Sequence, residues 1–221
     1  MDIKLAIALP LTNDREFSQF WDSFIMMEKP ERFVFLRPDY PGRIDRVRNI
    51  LVQEAMVRGA SHILFMDTDQ VYPLDTIPKL FETMEMVRSK VVGTVVYRRY
   101  APFDPLVFNI EEGGLTAVDF EKMYLQEHLK VGAVGAGCTL YDLEVFRAIP
   151  KPWFEDRSDE FDEEKKKHGP GEDIGFCYKL RDYGFDIWVN TSVDIGHLCM
   201  LNVNRGFYKL FRTLQEVVKR Q

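Results

Sequence analysis

The sequence predicts a single α/β domain whose central strands run parallel. Two observations carry this. Short apolar runs alternate with stretches of helical period, in the order strand, helix, strand, helix, strand. The runs are also apolar at nearly every position, as strands covered on both faces must be. The chain has 221 residues, enough for one sizeable core, and carries no internal repeat and no linker-like stretch.

The elements follow in order. Residues 3–9 form a first strand, ended by Pro10. Residues 14–27 carry Phe17, Phe20, Trp21, Phe24 and Ile25 at helical spacing. Residues 32–36 form a second strand, and the following RPDYPGRID is a loop punctuated by two prolines and a glycine. Residues 45–58 are a helix with Val47, Ile50, Leu51, Ala55 and Met56 on one face, closed by Gly59. Residues 62–66 (HILFM) are a third strand, 75–88 a helix and 91–97 another strand. Residues 102–126 read as short β-like pieces among Pro and Gly. VGAVGAGCTLYDLEVF is a strand and a helix, 155–170 an exposed charged segment, 173–183 a helix and 185–189 a last strand. The tail after 205 is an amphipathic helix with Phe207, Leu210, Phe211, Leu214 and Val217 on one side.

Composition excludes some classes. Hydrophobic residues make up 46% and charged residues 29%, as in a soluble globular domain. A formal net charge of -6 disfavours tight binding to a bare phosphate backbone. No apolar run approaches the roughly 20 residues of a membrane span, and no signal-peptide cleavage pattern follows the first run. Cys138, Cys177 and Cys199 are too few and too scattered for a disulfide framework. Buried or half-buried free thiols and a cytoplasmic location are the expectation.

The central motif is HILFMDTDQVYP, where a buried strand runs straight into Asp67-Thr68-Asp69. Ligands of open α/β sheets bind beyond the carboxyl ends of the strands. Two carboxylates there need compensation: a hard divalent cation is one source of it, and solvation at a strand end, with the aspartates capping the following turn, is the other. The segments RVRNILVQEAMVRGASHILFMDTD, GAVGAGCTLYDLEVFRAI, GEDIGFCYKLRDYGFDIWVN and VDIGHL follow one another along the chain. Together with the opening strand and its Leu9-Pro10 turn, they resemble the nucleotide-diphospho-sugar transferases of the family-two group, which have the Rossmann-like GT-A fold.

The resemblance implies a mostly parallel, mixed sheet flanked by helices, with a nucleotide-binding half over about 1–100 and an acceptor-side half over about 101–221. It implies transfer of a sugar from a nucleotide-diphosphate sugar to a hydroxyl acceptor, with Mn²⁺ or Mg²⁺ on Asp67, Asp69 and His197. Asp173, with Glu172 next, stands where the inverting members carry a general base. Leu9, Pro10, Asp39, Arg43, Arg46, Arg48, Asn49, Thr68, Gly135 and Gly137 are the further candidates for donor binding. Trp153 and Arg98, with Arg99 beside it, are candidates for the acceptor side. The acceptor itself stays open: a polysaccharide, a lipid-linked sugar, a protein or a modified nucleobase. Two other readings compete. The string Asp67-Thr68-Asp69-Gln70-Val71 also fits the DxDxV motif of haloacid-dehalogenase-type phosphatases. A catalytically inactive nucleotide-sugar-binding module would keep the fold without the chemistry.

Overall fold

The computed structural model describes residues 4–13, 16–111, 114–163 and 166–218. The chain opens with β1 (Leu5–Ala8), α1 (Ser18–Met26), β2 (Phe33–Leu36), α2 (Ile44–Val57), β3 (His62–Met66), β4 (Gln70–Val71), α3 (Thr76–Val87) and β5 (Val91–Thr94). It continues with β6 (Val107–Glu111), β7 (Gly114–Ala117), α4 (Phe120–Met123), β8 (His128–Val131), β9 (Ala133–Val134), β10 (Cys138–Asp142) and α5 (Glu144–Ala148). Last come β11 (Phe161–Asp162), β12 (Lys167–His168), α6 (Glu172–Asp182), β13 (Ile187–Asn190), β14 (Gly196–His197) and α7 (Arg205–Val218).

Seven strands form one sheet in the order β2-β1-β3-β10-β5-β13-β8. β2, β1, β3, β5 and β13 point one way, and β10 and β8 run against them. The sheet is therefore mixed and mostly parallel, as expected. Side chains alternate between its faces with period two. Ala6, Ala8, Ile63 and Phe65 pack on the α2 side, whereas Leu5, Ile7, Leu64 and Met66 pack with Phe20 and Phe24 of α1 and Leu80 of α3. Each Leu, Ile, Phe or Met among these that is wholly removed from water contributes about 1.5–3 kcal/mol.

The helices obey the same rule. On α2, Val47, Leu51, Val52 and Ala55 are buried and Ile50 faces solvent. Gly59 closes this helix at φ +68°, its amide donating to the Met56 carbonyl. On α1, Phe20 and Phe24 are buried while Ile25 is exposed, so the expected stripe is narrower than its apolar residues. That helix begins at Ser18; the expected start at residue 14 lies outside the described residues.

Three other expectations are corrected. The single strand expected before residue 142 is three strands, because Gly132 lets β8 pass into β9 across β6. A Cβ at Gly132 would lie 2.3 Å from the Ile110 backbone nitrogen. Strand 91–97 stops at Thr94, and Tyr97 keeps only a bridge to Pro105. Cys138 and Cys177 are buried, but Cys199 is exposed. Among the described residues no helix is long and apolar enough to cross a membrane.

Candidate active site

The site forms where three chain segments meet at the carboxyl end of β3. β10 lies antiparallel to β3 with Cys138 opposite Met66. This register sets the loop before β10 beside the acidic turn, where the Asp67 amide donates to the Gly137 carbonyl at 2.8 Å. A Cβ on Gly137 would sit 2.4 Å from Gln70 Nε2 and 2.8 Å from Asp67 Oδ2, so only glycine fits without displacing both. A Cβ on Gly135 would make ordinary contacts, 3.6 Å to Leu106 and 3.7 Å to Asp173 Oδ2. The two glycines thus differ in role.

The two-residue ladder of β4 and β14 does for His197 what β10 does for Gly137. His197 pairs with Gln70, and the Leu198 amide donates to the Asp69 carbonyl at 2.8 Å. The His197 Nδ1–H donates to the Tyr97 carbonyl. That bond fixes the tautomer, leaving Nε2 to face Asp69 Oδ2 at 3.3 Å, misaligned for a hydrogen bond. In the neutral ring this is a lone pair aimed at a carboxylate oxygen, which calls for a cation between or beside them. A proton serves that need when no other cation is present. Burial alone would lower the His197 pKa, but Asp69 and the Tyr97 carbonyl together raise it. Burial likewise works to raise the Asp69 pKa, and His197 and Arg99 outweigh it, leaving Asp69 lowered. Arg99 Nη1 donates to Asp69 Oδ2 at 2.7 Å.

Asp67 belongs to a second, drier group. Arg48 is 3% exposed and reaches Asp67 Oδ1 at 3.4 Å and Glu172 Oε1 at 2.9 Å. Its guanidinium lies over the rings of Phe65 and Phe154, at 5.6 and 5.8 Å from their centroids. Burial pushes the Glu172 carboxyl up to about 7, aided by Asp173 and opposed by Arg48. Burial also raises Asp67, again against the pull of Arg48. Beneath the turn, the Tyr72 hydroxyl lies 2.8 Å from the Asp67 carbonyl, 3.0 Å from Gln70 Oε1 and 3.2 Å from the Gly137 carbonyl. Gln70 is wholly buried, yet its Nε2 has no partner.

Glu172 and Asp173 open α6, which starts directly after Gly171, so both sit in its first turn. Asp173 Oδ1 accepts from the Ile174 amide at 2.7 Å. A cleft of about 960 Å³ joins all of these: Pro10, Arg48, Asp67, Thr68, Asp69, Gly135, Gly137, Glu172, Asp173 and His197 line it. Ten of the sequence candidates therefore converge on one cavity.

Six others do not. Leu9 is wholly buried in the core behind the site. Asp39 and Arg46 are exposed and off the cleft wall, and Arg43 pairs with Asp45 at 2.8 Å instead of facing the cleft. Asn49 is a strut: its Nδ2 donates to the Asp45 and Phe154 carbonyls, and its Oδ1 accepts from the Trp153 amide. Arg98 turns toward the Tyr100 ring, 5.8 Å away, while its neighbour Arg99 enters the cleft. On the acceptor side, Trp153 is corrected as well. It is 2% exposed, with its Nε1–H shared by the Phe146 and Ile149 carbonyls, and it packs rather than presenting a platform. Sequence reasoning missed Thr12, Glu16, Phe17, Gln70 and Met200, which also line the cleft.

No family model and no curated protein matches this sequence. Solved structures do match in shape. The A197 protein from STIV superposes with a TM-score of 0.58 at 16% identity, over 90% of this chain and 87% of that one. S. aureus TarS 1-349, solved in complex with UDP-GlcNAc, gives 0.58 at 12% identity over 96% of this chain and 65% of that one. GalNAc-T7, solved with UDP, GalNAc and Mn²⁺, gives 0.61 at 11% identity over 90% of this chain and 44% of that one. The chain has the GT-A fold. It spans about two thirds of the TarS chain and under half of the GalNAc-T7 chain.

Proposed function

We propose that this chain is a glycosyltransferase that moves a sugar from a nucleotide-diphosphate sugar to a hydroxyl acceptor, with Mn²⁺ or Mg²⁺ as cofactor. One observation carries the reading. The Asp67-Thr68-Asp69 turn, His197 with its Nε2 3.3 Å from Asp69 Oδ2, and the acidic first turn of α6 line the same cleft of a GT-A fold.

The donor set fits a hard divalent ion: two carboxylates and an imidazole whose Nδ1 is already committed to a carbonyl. Among the described residues no group of three His, Cys, Asp or Glu is drawn together tightly enough to hold an ion as it stands. Asp67, Asp69 and His197 are the residues that would hold it, Asp69 and His197 giving up their mutual contact. Bound there, the ion would act as a Lewis acid toward the diphosphate leaving group. Arg48 holds Asp67 in register and neutralises the carboxylates behind the turn. Gly137 leaves room for the diphosphate to approach the backbone. Glu172 is committed to Arg48. Asp173 is therefore the general base, taking the acceptor hydroxyl proton as that oxygen attacks the anomeric carbon and the diphosphate departs, with inversion.

The phosphatase reading asks Asp67 to be a nucleophile, but this carboxylate is tethered to Arg48 in a fold whose solved relatives hold UDP or a UDP-sugar. Calorimetric titration of UDP, GDP, ADP and CDP, with and without Mn²⁺, tests the proposal. Metal-dependent binding of one nucleotide, lost in Asp69→Ala, is the expected result. Binding without sugar release from the matching donor would instead support an inactive binding module. No binding of any nucleotide would sink the proposal.

A further inference from the structure

The residues of α7 divide cleanly by chemistry. Phe207, Leu210, Phe211 and Leu214 recur at i, i+3, i+4 and i+7, one face of a helix. Arg205, Lys209 and Arg212 recur at i, i+4 and i+7 on the opposite face. Leu210, Phe211 and Leu214 are each more than half exposed, as are Met200, Leu201 and Val203 in the segment leading to the helix. So a continuous apolar strip runs along this helix and the segment before it, and it is left in water.

Charge says what covers it. The chain carries a net charge of -6, yet residues 205–221 hold five Lys and Arg against Glu216 alone. Residues 1–204 are therefore net -10 and the last seventeen net +4. A lid closing over the cleft would press this apolar strip onto Arg48, Asp67, Asp69 and Glu172, a poor match. A helix with Phe and Leu on one face, Lys and Arg on the other and little net hydrophobicity fits the boundary of an anionic bilayer.

We propose that α7 is a membrane-surface element, which lies in the headgroup region of a bilayer containing anionic lipid. Met200 lines the cleft, and four residues separate it from the start of α7, a reach of at most about 18 Å. Docking through α7 thus holds the cleft mouth close to the bilayer. If the proposed transferase activity holds, this favours an acceptor hydroxyl carried on a lipid. That last step rests on the proposed function; the docking itself does not.

Sedimentation with sucrose-loaded vesicles tests the docking without any donor or metal. Wild type should bind phosphatidylcholine vesicles containing about one-third phosphatidylglycerol at least tenfold more tightly than phosphatidylcholine alone. Lys209→Gln/Arg212→Gln removes two charges worth about 1 kcal/mol each, which is about a 30-fold loss on anionic vesicles. Leu210→Ser/Leu214→Ser should abolish binding to both compositions. Both double variants change exposed positions, and an unchanged urea midpoint confirms that the body folds. Failure of wild type to sediment with anionic vesicles would overturn the proposal. So would equal binding to neutral and anionic vesicles. A dimer that Leu210→Ser/Leu214→Ser dissociates would overturn it too, naming a second copy as the occupant. Nucleotide binding is measured separately, so either reading can fail without the other.

Discussion

Replacing Arg48 with Met tests the electrostatic core of the site. Methionine keeps most of the aliphatic volume between Phe65 and Phe154 and removes the charge. Asp67 and Glu172 then face each other's field with no cation behind them. Stripping one partner from a buried ion pair costs about 3–5 kcal/mol. The Asp67 side chain keeps 31% of its exposure and Glu172 13%, so the low end applies, about 3 kcal/mol at pH 8. With a urea m-value of about 3 kcal/mol/M, the unfolding midpoint falls by about 1 M.

The loss depends on pH, and its sign follows from linkage. Glu172 titrates near 7 in the folded protein against 4.5 for an ordinary glutamate. Between those values the folded state holds the extra proton, so stability declines as pH rises through the window. Without Arg48 the folded value climbs further and the decline steepens. Urea unfolding of both proteins in chelator at pH 5.5 and pH 8, followed by tryptophan fluorescence, checks this. The deficit should shrink to about 1–2 kcal/mol at pH 5.5, where a protonated Glu172 no longer needs its partner. Adding Glu172→Gln should recover part of the deficit at pH 8. A deficit under about 1 kcal/mol, or one equal at both pH values, would refute the reasoning.

Three further outcomes follow from the geometry. Gly137→Ala should weaken metal-dependent nucleotide binding at least tenfold by displacing Gln70 and Asp67, whereas Gly135→Ala should stay within about threefold of wild type; calorimetry distinguishes them. Gln70→Met should leave the free protein as stable or slightly more stable, because its buried Nε2 is unpaired, yet weaken donor binding about tenfold, as read by paired unfolding and binding titrations. Trp153→Ala should cost about 3–5 kcal/mol in urea unfolding while leaving KM for any acceptor unchanged below the melting range.

The sequence made the carboxyl end of β3 legible because strand, acidic turn and glycine loop each announce themselves over a few residues. Arg48 was legible in a subtler way. It sits in register with Leu51, Val52 and Ala55, on the apolar stripe of α2, and a charge there must find partners. Arg43 and Arg46 lie off that stripe, and the structure leaves both at the surface. Phe17, Met200 and Gln70 were not legible, because their places depend on how distant segments meet. Gln70 faces the cleft only because β14 arrives 126 residues later to pair with β4. Trp153 misled for a related reason: KPWF does not say that α5 and Asn49 will enclose it. Cys199 differs in kind, since nothing local distinguishes an exposed thiol from a buried one.

The position of β10 also bears on how this chain can be built and rebuilt. The strand completing the middle of the sheet, between β3 and β5, emerges more than seventy residues after β3. On the ribosome, β3 must wait with an unpaired apolar edge until residue 142 has been made, a span that invites misassembly or chaperone capture. The same wiring limits recombination. The segments before and after about residue 100, taken from two proteins of this fold, cannot be joined as independent cassettes. The second cassette carries the strand that finishes the first one's sheet, together with the Gly137 carbonyl that receives the Asp67 amide. A functional chimera has to match the β3–β10 register before it can match a substrate.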